Sequence, residues 1–261
     1  MKTSFKMLAG AAAVALSFGA QALVIDNFAI NSAFIEDNVV NNTGATTSNV
    51  GPGTSILGGE RDLFVIETDT PGIDNPNQGS SMEVFNNNLS FNNDSGQAGV
   101  GIIRWDGSGS TSFGATGGTA GATLANAIAS VNSVGLGGVD LTGAGVGFII
   151  DVLSADAGFN FQLQAYSSVG NWSSFTALTL TGAAVYFIPF AAFTTQAGTG
   201  ANFSSIGALQ AIINYPGLAR TDVDLRVRVA QVQIPEPTSL ALVGLALLGL
   251  GAVGAKRRAK K

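Results

Sequence analysis

Two tryptophans, one arginine and one aspartate stand where they could bind a sugar. Trp105 is followed at once by Asp106, and a ring beside a carboxylate suits a sugar because the apolar sugar face stacks on the ring. Trp172, after a Gly-Asn pair, supports the same interpretation. Arg61 follows a Gly-Gly-Glu stretch, and its guanidinium fork can pair with carboxylates or hydroxyls. We take these four as candidate carbohydrate contacts; the alternative is core-edge tryptophans and a turn arginine paired with a neighbouring acid.

Carboxylates are the groups from which a hydrolytic site could be built. Asp222 and Asp224 alternate with apolar residues, which would place both on one face of a strand, about 7 Å apart. Paired carboxylates of this kind carry out glycan hydrolysis. Arg226 and Arg228 would share that face, so ion pairing on a solvated surface explains the pattern better.

Two residue types are missing, and their absence excludes many mechanisms. The 261 residues include no His and no Cys. The Ser-His-Asp triad, histidine general bases, thiolate nucleophiles and Cys-ligated zinc or iron–sulfur sites are therefore excluded. We expect no catalytic residues and no enzymatic activity.

Acidic and amide side chains could still hold calcium through their oxygens. The candidates are a loop with Asp69, Asp74, Asn75 and Asn77, the pair Asp151 and Asp156, and Asp26. The loop does not match the EF-hand spacing, in which ligands stand at alternate positions. We expect no cofactor, with a structural calcium at an unassigned position as the alternative.

Alternation of apolar and polar residues with period two predicts the elements that position these side chains. The clearest alternating segments are 159–165 and 222–229. Further strands are predicted over 63–67, 100–105, 146–152, 172–180, 185–190 and 208–215, and one short helix over 123–131. Turn-rich loops are predicted over 41–59, 69–81 and 106–121. Many short strands with such loops favour an all-β fold over residues 23–234, an antiparallel β-sandwich of jelly-roll type.

Both ends of the chain are apolar and basic. Residues 1–22 combine Lys2 and Lys6 with an apolar run, and small residues at Ala20 and Ala22 mark a cleavage site. This order is typical of a secretory signal peptide. The other end, 235–261, contains a Pro-Glu-Pro motif and then an apolar run over 239–255, long enough for a short transmembrane helix.

A basic tail, 256–261, follows the apolar run. Its charges are on Lys256, Arg257, Arg258, Lys260 and Lys261. Basic flanks stay on the cytoplasmic side of a membrane, so we expect the C-terminus inside and residues 23–234 outside.

The segment between the two ends is acidic. Residues 23–234 contain five Arg, no Lys and sixteen Asp or Glu, a formal charge of −11 against −5 for the whole chain. A lysine-free acidic surface argues against nucleic acid as a partner.

The order of elements at the C-terminus resembles the PEP-CTERM sorting signal of Gram-negative bacteria. The residues that carry it are Ile234–Ser239, the apolar run and Lys256-Arg257-Arg258. The resemblance implies export by the secretion machinery and processing by an exosortase, a membrane enzyme, with Pro235, Glu236 and Pro237 as the sorting motif. It implies an inner-membrane-anchored precursor and a mature form at the cell envelope or outside the cell, near exopolysaccharide and biofilm. A plain C-terminal anchor is the alternative.

Residues 23–234 resemble, more diffusely, galactose-binding-like and carbohydrate-binding jelly rolls. The matching segments are 25–28, 56–62, 103–107, 138–142 and 148–152. We expect an exported non-enzymatic protein of the envelope or matrix. A carbohydrate-binding module that uses Arg61, Trp105 or Trp172 is the first alternative, and a carboxylate-based glycan hydrolase is the second.

Overall fold

The computed structural model describes residues 22–233 except 39–43, 69–77, 108–112, 114–121, 157 and 218. These residues form two antiparallel sheets that pack face to face as a jelly-roll-like β-sandwich. The strands are β1 (Leu23–Asp26), β2 (Ile35–Asp37), β3 (Ala45–Val50), β4 (Glu60–Glu67), β5 (Ser80–Phe85), β6 (Asn88–Asn93), β7 (Gly99–Trp105), β8 (Gly147–Ala155), β9 (Phe159–Ser168), β10 (Asn171–Leu180), β11 (Ala184–Pro189), β12 (Thr194–Ala197), β13 (Ala208–Ile213) and β14 (Asp224–Gln233). A short helix, α1 (Leu124–Ala129), lies between β7 and β8.

Each sheet has seven strands. The first sheet runs β11-β8-β14-β6-β5-β2, with β1 also paired to β14. The second sheet runs β12-β10-β9-β13-β7-β4-β3. Sequence neighbours pair in both sheets, but β1 with β14 and β7 with β13 join distant parts of the chain, which closes the sandwich.

The main core lies between the sheets because alternate side chains of each strand point inward. Leu63 and Ile103 of the second sheet pack in the same buried cluster as Phe91 and Leu225 of the first. A second, smaller core lies on the outer face of the second sheet. There the apolar residues Phe64, Ile102 and Ile212 are covered by Phe113 and by Ala127 of α1.

The strands predicted from alternation are present, and α1 lies inside the predicted helical segment. The Thr123 hydroxyl caps the N-terminus of α1 by accepting a hydrogen bond from the Asn126 amide. One predicted loop is corrected: segment 41–59 contains strand β3, which pairs along β4. Its alternation is too weak to predict a strand, because the segment is mostly polar. The predicted loop 69–81 is corrected at its end, because β5 begins at Ser80. Strands β1, β2, β6 and β12 were also not predicted from the sequence.

The two ends of the sandwich domain lie side by side. Leu23 at the start of β1 faces Val232 near the end of β14, and Gln233 faces Gly147 at the start of β8. We call this end of the sandwich the terminal end. The opposite end, where β14 begins at Asp224 and β7 begins at Gly99, is called the distal end.

No helix within the described ranges is long and apolar enough to cross a membrane. The predicted signal helix before Ala22, the sorting motif, the apolar run over 239–255 and the basic tail lie outside those ranges, as does the candidate calcium loop over 69–77.

Candidate functional sites

Three side chains that are distant in sequence meet inside the sandwich. The Arg61 Nη1 atom donates to both Asp26 carboxylate oxygens at 3.0 and 2.9 Å. The Trp105 indole N–H donates to Asp26 Oδ2 at 3.0 Å, and the Phe28 amide donates to Oδ1 at 2.8 Å. Arg61 Nη2 also donates to the Ile30 carbonyl at 2.6 Å. We call Asp26, Arg61 and Trp105 the buried triad.

Local backbone geometry places Arg61 in this position. Gly58 and Gly59 both adopt positive φ angles, 74° and 81°, which glycine tolerates without a steric penalty, and the chain then turns directly into β4. The bulge between Val24 and Asp26 shifts the register of β1 there, beside the site of the ion pair.

The buried triad has no surface to offer a sugar. Arg61 is 0% exposed and Trp105 is 3% exposed. Burial raises the pKa of Asp26 above its ordinary value, and the Arg61 charge and the Trp105 hydrogen bond oppose that rise. Asp106 is also buried, and its Oδ2 accepts a hydrogen bond from the Asn132 amide at 2.9 Å. Three of the four candidate carbohydrate contacts are thus interior residues.

The fourth candidate, Trp172, lies on the outer face of the second sheet and is half-buried. Its ring stacks on Tyr166, with centroids 5.3 Å apart and planes 17° from parallel. Burial raises the pKa of Tyr166 to about 12, and its hydroxyl donates to Gln164 at 2.7 Å. One face of the Trp172 ring is therefore already used by a protein aromatic ring.

A second buried arginine was not singled out from the sequence. The Arg104 Nε atom donates to Gln210 Oε1 at 2.8 Å, and the guanidinium group also donates to the carbonyls of Ala127 and Ser130, at the C-terminus of α1. Its guanidinium carbon lies 4.2 Å from the Phe113 ring centroid. Burial lowers the pKa of Arg104. This network attaches α1 to the second sheet. The positive charge of Arg104 also interacts favourably with the C-terminus of α1, which is the negative end of the helix dipole.

An open polar groove of about 480 Å³ lies on the outer face of the first sheet. Its polar lining comes from neighbouring strands: Glu83 of β5, Asn92 of β6, and Asp224 and Arg226 of β14. Phe34 forms one wall and is 56% exposed. The outward alternation of Ser81 and Glu83 with buried Met82 and Val84 is the sequence signal for this face.

The predicted pair of carboxylates does not share a strand face. Strand β14 begins at Asp224, whereas Asp222 lies in the preceding turn with a φ angle of 58° and accepts a hydrogen bond from the Gly96 amide at 2.8 Å. Ion pairing is present on this strand but with a different partner, because Arg228 Nε donates to Asp151 of β8 at 2.9 Å.

The pKa directions of the two carboxyls differ. The Gly96 amide hydrogen bond is the main cause that lowers the pKa of Asp222. Partial burial, followed by the negative charge of Asp156, raises the pKa of Asp224. Glu83, the other acid in the groove, lies two strands away from Asp224 and is offset by two residues, so their Cα atoms are about 12 Å apart.

The candidate calcium ligands that the structure describes already have protein partners. Asp26 bonds to Arg61, Asp151 pairs with Arg228, and Asp156 Oδ1 accepts a hydrogen bond from the Asp224 amide at 2.8 Å. Among the described residues no group of three or more acidic side chains is arranged to hold a metal ion.

Comparison with known proteins gives one sequence match and distant structural similarity to several solved chains. Residues 233–260 match the PEP-CTERM protein-sorting motif. No curated protein matches the chain by sequence.

Two of the similar structures are family 11 carbohydrate-binding modules of Clostridium thermocellum. One belongs to the cellulosomal cellulase Lic26A-Cel5E, with 9% identity, a TM-score of 0.35, and coverage of 82% of this chain and 96% of that chain. The other is in complex with a β-1,3-1,4-mixed-linked tetrasaccharide, with 10% identity, a TM-score of 0.31, and coverage of 80% and 99%. TM-scores this low support no conclusion about ligand or site.

Proposed function

We propose that the chain is the precursor of an exported, non-catalytic protein of the cell envelope or extracellular matrix. The sorting motif at residues 233–260 is the observation that carries the proposal. It begins at Gln233, the last residue of β14, so the motif follows the sandwich without an intervening domain.

The proposed pathway uses both apolar ends of the chain. Residues 1–22 direct export, and the run over 239–255 holds the precursor in the inner membrane with its basic tail inside. An exosortase then reads Pro235-Glu236-Pro237. The two prolines restrict the backbone to extended conformations, and an extended segment is the form of substrate that a protease binds.

Mass spectrometry of both ends of the mature protein tests the proposal. Expression in a host with an exosortase should give an N-terminus at Leu23 and loss of the tail near Pro235–Pro237. The same chain in a host without the enzyme should keep its tail. A mature protein that retains Lys261 in the first host would contradict processing and leave a simple anchored domain.

Carbohydrate binding in the groove of the first sheet is a second candidate function. The groove combines an exposed ring, Phe34, with carboxylates, an amide and a guanidinium on adjacent strands. Stacking on an aromatic ring together with hydrogen bonds from side-chain amides and charged groups is how a polar open site can hold a sugar. The contacts of the groove support sugar binding, and we propose binding without hydrolysis.

Phe34→Ala tests this second function, with Phe85→Ala as the matched control. Both rings are exposed to a similar extent, 56% and 54%, but Phe34 lines the groove whereas Phe85 is not among its lining residues. On a glycan array, or with matrix polysaccharide, the first variant should lose binding about fivefold or more and the second should not, since stacking contributes on the order of 1 kcal/mol or more. Equal sugar binding by the unsubstituted protein and both variants would show that the groove is not the binding site.

A further inference from the structure

The terminal end of the sandwich carries exposed valines on several separate loops. Val50 ends β3, Val134 lies in the loop after α1, Val146 precedes β8, and Val169 lies in the turn between β9 and β10. Their exposures are 72%, 61%, 50% and 87%.

Strand pairing places all four at the same end. Val50 faces Glu60 at the start of β4, and Val146 precedes Gly147, the partner of Gln233. Val169 follows the end of β9, at which Tyr166 pairs with Ala208. The loop of Val134 is attached there too, because the Leu136 amide donates to the Gly207 carbonyl at 2.9 Å.

The exposed acids of the described residues have the opposite distribution. Asp156, Asp222 and Asp224 cluster at the distal end with half-buried Asp94 and exposed Arg220, and Asp224 pairs with Asn92 while its amide donates to Asp156. At the terminal end, Asp140 is the charged side chain that is exposed within the described ranges. The sandwich is therefore polarised, with apolar loop tips at one end and acids at the other.

The chain that leaves the terminal end is short. Five residues, 234–238, separate Gln233 from the uncharged run that begins at Ser239. Six residue steps can span at most about 20 Å, even when the chain is fully extended. If the run spans the bilayer, the terminal end cannot be further than this from the membrane.

We propose that in the anchored precursor the terminal end rests on the bilayer surface, with Val50, Val134, Val146 and Val169 in the lipid interface. This inference rests on the proposed function, because it needs the anchor. The short linker brings this end to the membrane, the apolar tips lose water on contact, and the acids at the distal end stay in water. The sorting motif is then held at the level of the headgroups.

Site-specific fluorescence in the full chain tests the proposal, and the absence of native Cys makes single-cysteine labelling possible. The full chain is placed in phosphatidylcholine nanodiscs that contain a lipid with a quencher near its headgroup. A polarity-sensitive dye on Val169→Cys or Val146→Cys should be blue-shifted and quenched at least about twofold. The matched control, Ser95→Cys in the exposed turn at the distal end, should show neither change.

A linker variant keeps the test independent of the dye positions. Insertion of about ten Gly and Ser residues after Ile234 gives a flexible tether, which should reduce the quenching at position 169 toward that at position 95. Equal quenching at both ends in the unmodified chain would overturn the proposal. A dye at 169 that is shielded from water but not quenched by lipid would assign the valines to a protein partner and also overturn it.

The outcomes separate this inference from the proposed function. A chain that fails to join the nanodiscs contradicts the membrane anchor itself. A chain that joins them but shows a fully hydrated dye at position 169 keeps the anchor and contradicts only the seating of the domain on the membrane.

Discussion

The Asp26–Arg61 ion pair lies where neither charge meets water, and it organises the residues around it. Asp26 accepts hydrogen bonds from Arg61, from Trp105 and from the Phe28 amide, so one carboxylate ties β1 to β4, to β7 and to its own turn. Removing one partner of such a pair leaves an uncompensated buried charge, which costs far more than the pair contributes.

Arg61→Met should therefore lower the free energy of unfolding by about 3–5 kcal/mol, because Asp26 is left buried and unpaired. The control is Arg228→Met, which breaks the exposed pair with Asp151 and should cost about 0–1 kcal/mol. Urea unfolding measures both values. The double variant Asp26→Asn with Arg61→Met should lose less unfolding free energy than the two single variants lose in total. A double variant whose loss equals the sum of the two single losses would show that the two charges do not act as a pair.

Asp222 and Asp224 should titrate on opposite sides of the ordinary aspartate value of 3.8, Asp222 below it and Asp224 above it. A lowered pKa stabilises the fold above the unfolded-state pKa, and this contribution is lost as the pH falls through the folded-state pKa. A raised pKa destabilises the fold at neutral pH, and this penalty is lost as the pH falls below it.

Asp222→Asn should then lower the melting temperature at pH 7 but not at about pH 2, and Asp224→Asn should raise it at pH 7. Carboxyl carbon NMR of the unsubstituted protein gives the two pKa values directly. A shared titration midpoint for both residues would contradict the expected difference.

At the scale of strands, alternation with a period of two predicted the elements that have one buried and one solvated face. Segment 159–165 is such a case, and it lies inside β9. Strand β3 escaped prediction because it is an edge strand of Ala, Thr, Ser and Asn with little apolar alternation, stabilised by its pairing with β4.

The site residues were harder to predict than the strands. The sequence allowed a neighbouring acid as the partner of Arg61 and a core-edge position for Trp105, but their shared partner, Asp26, is 35 residues from Arg61 and 79 from Trp105. A contact across such distances depends on strand order, which local patterns do not determine. The groove of the first sheet was missed for the same reason, because Glu83 and Arg226 approach only when β5, β6 and β14 pair.

Strand β11 should promote self-association, because it is an edge strand with apolar side chains on its exposed face. Val185 is 63% exposed and Phe187 is 49% exposed, and among the described residues β8 is the one strand that pairs with β11. Exposed apolar edges of this kind favour pairing with other chains. Phe187→Lys should reduce light scattering of concentrated protein while stability stays within about 0.5 kcal/mol. Leu153→Lys, on the neighbouring strand β8, is the control away from the edge. If both variants reduce light scattering equally, self-association involves the whole outer face of the first sheet and not the edge strand.

The whole domain is closed by its own ends. Pairing of β1 with β14 brings residue 23 beside residue 232, and the strands that the structure describes all lie within residues 23–233. The proposed processing would therefore remove both ends without cutting into a described strand.

A domain of residues 23–233 should therefore unfold cooperatively, whereas residues 28–233 should be less stable by several kcal/mol. The shorter variant lacks β1 and leaves Arg61 without Asp26, which is the loss of a buried ionic partner. Thermal unfolding followed by circular dichroism compares the two. Equal melting temperatures would show that β1 is not an integral part of the sandwich.

On the proposed export route, the pairing of the first strand with the last also sets when the domain can finish folding. A chain that crosses the membrane N-terminus first delivers β1 early, but the partner of β1 emerges about 200 residues later, immediately before the sorting motif. The first sheet therefore stays incomplete through almost the whole of translocation, and loop closure over that distance is slow. By the time the sheet can close, the apolar run that follows Gln233 has entered the channel. Completion of the fold and arrest of the chain in the membrane thus fall at the same moment.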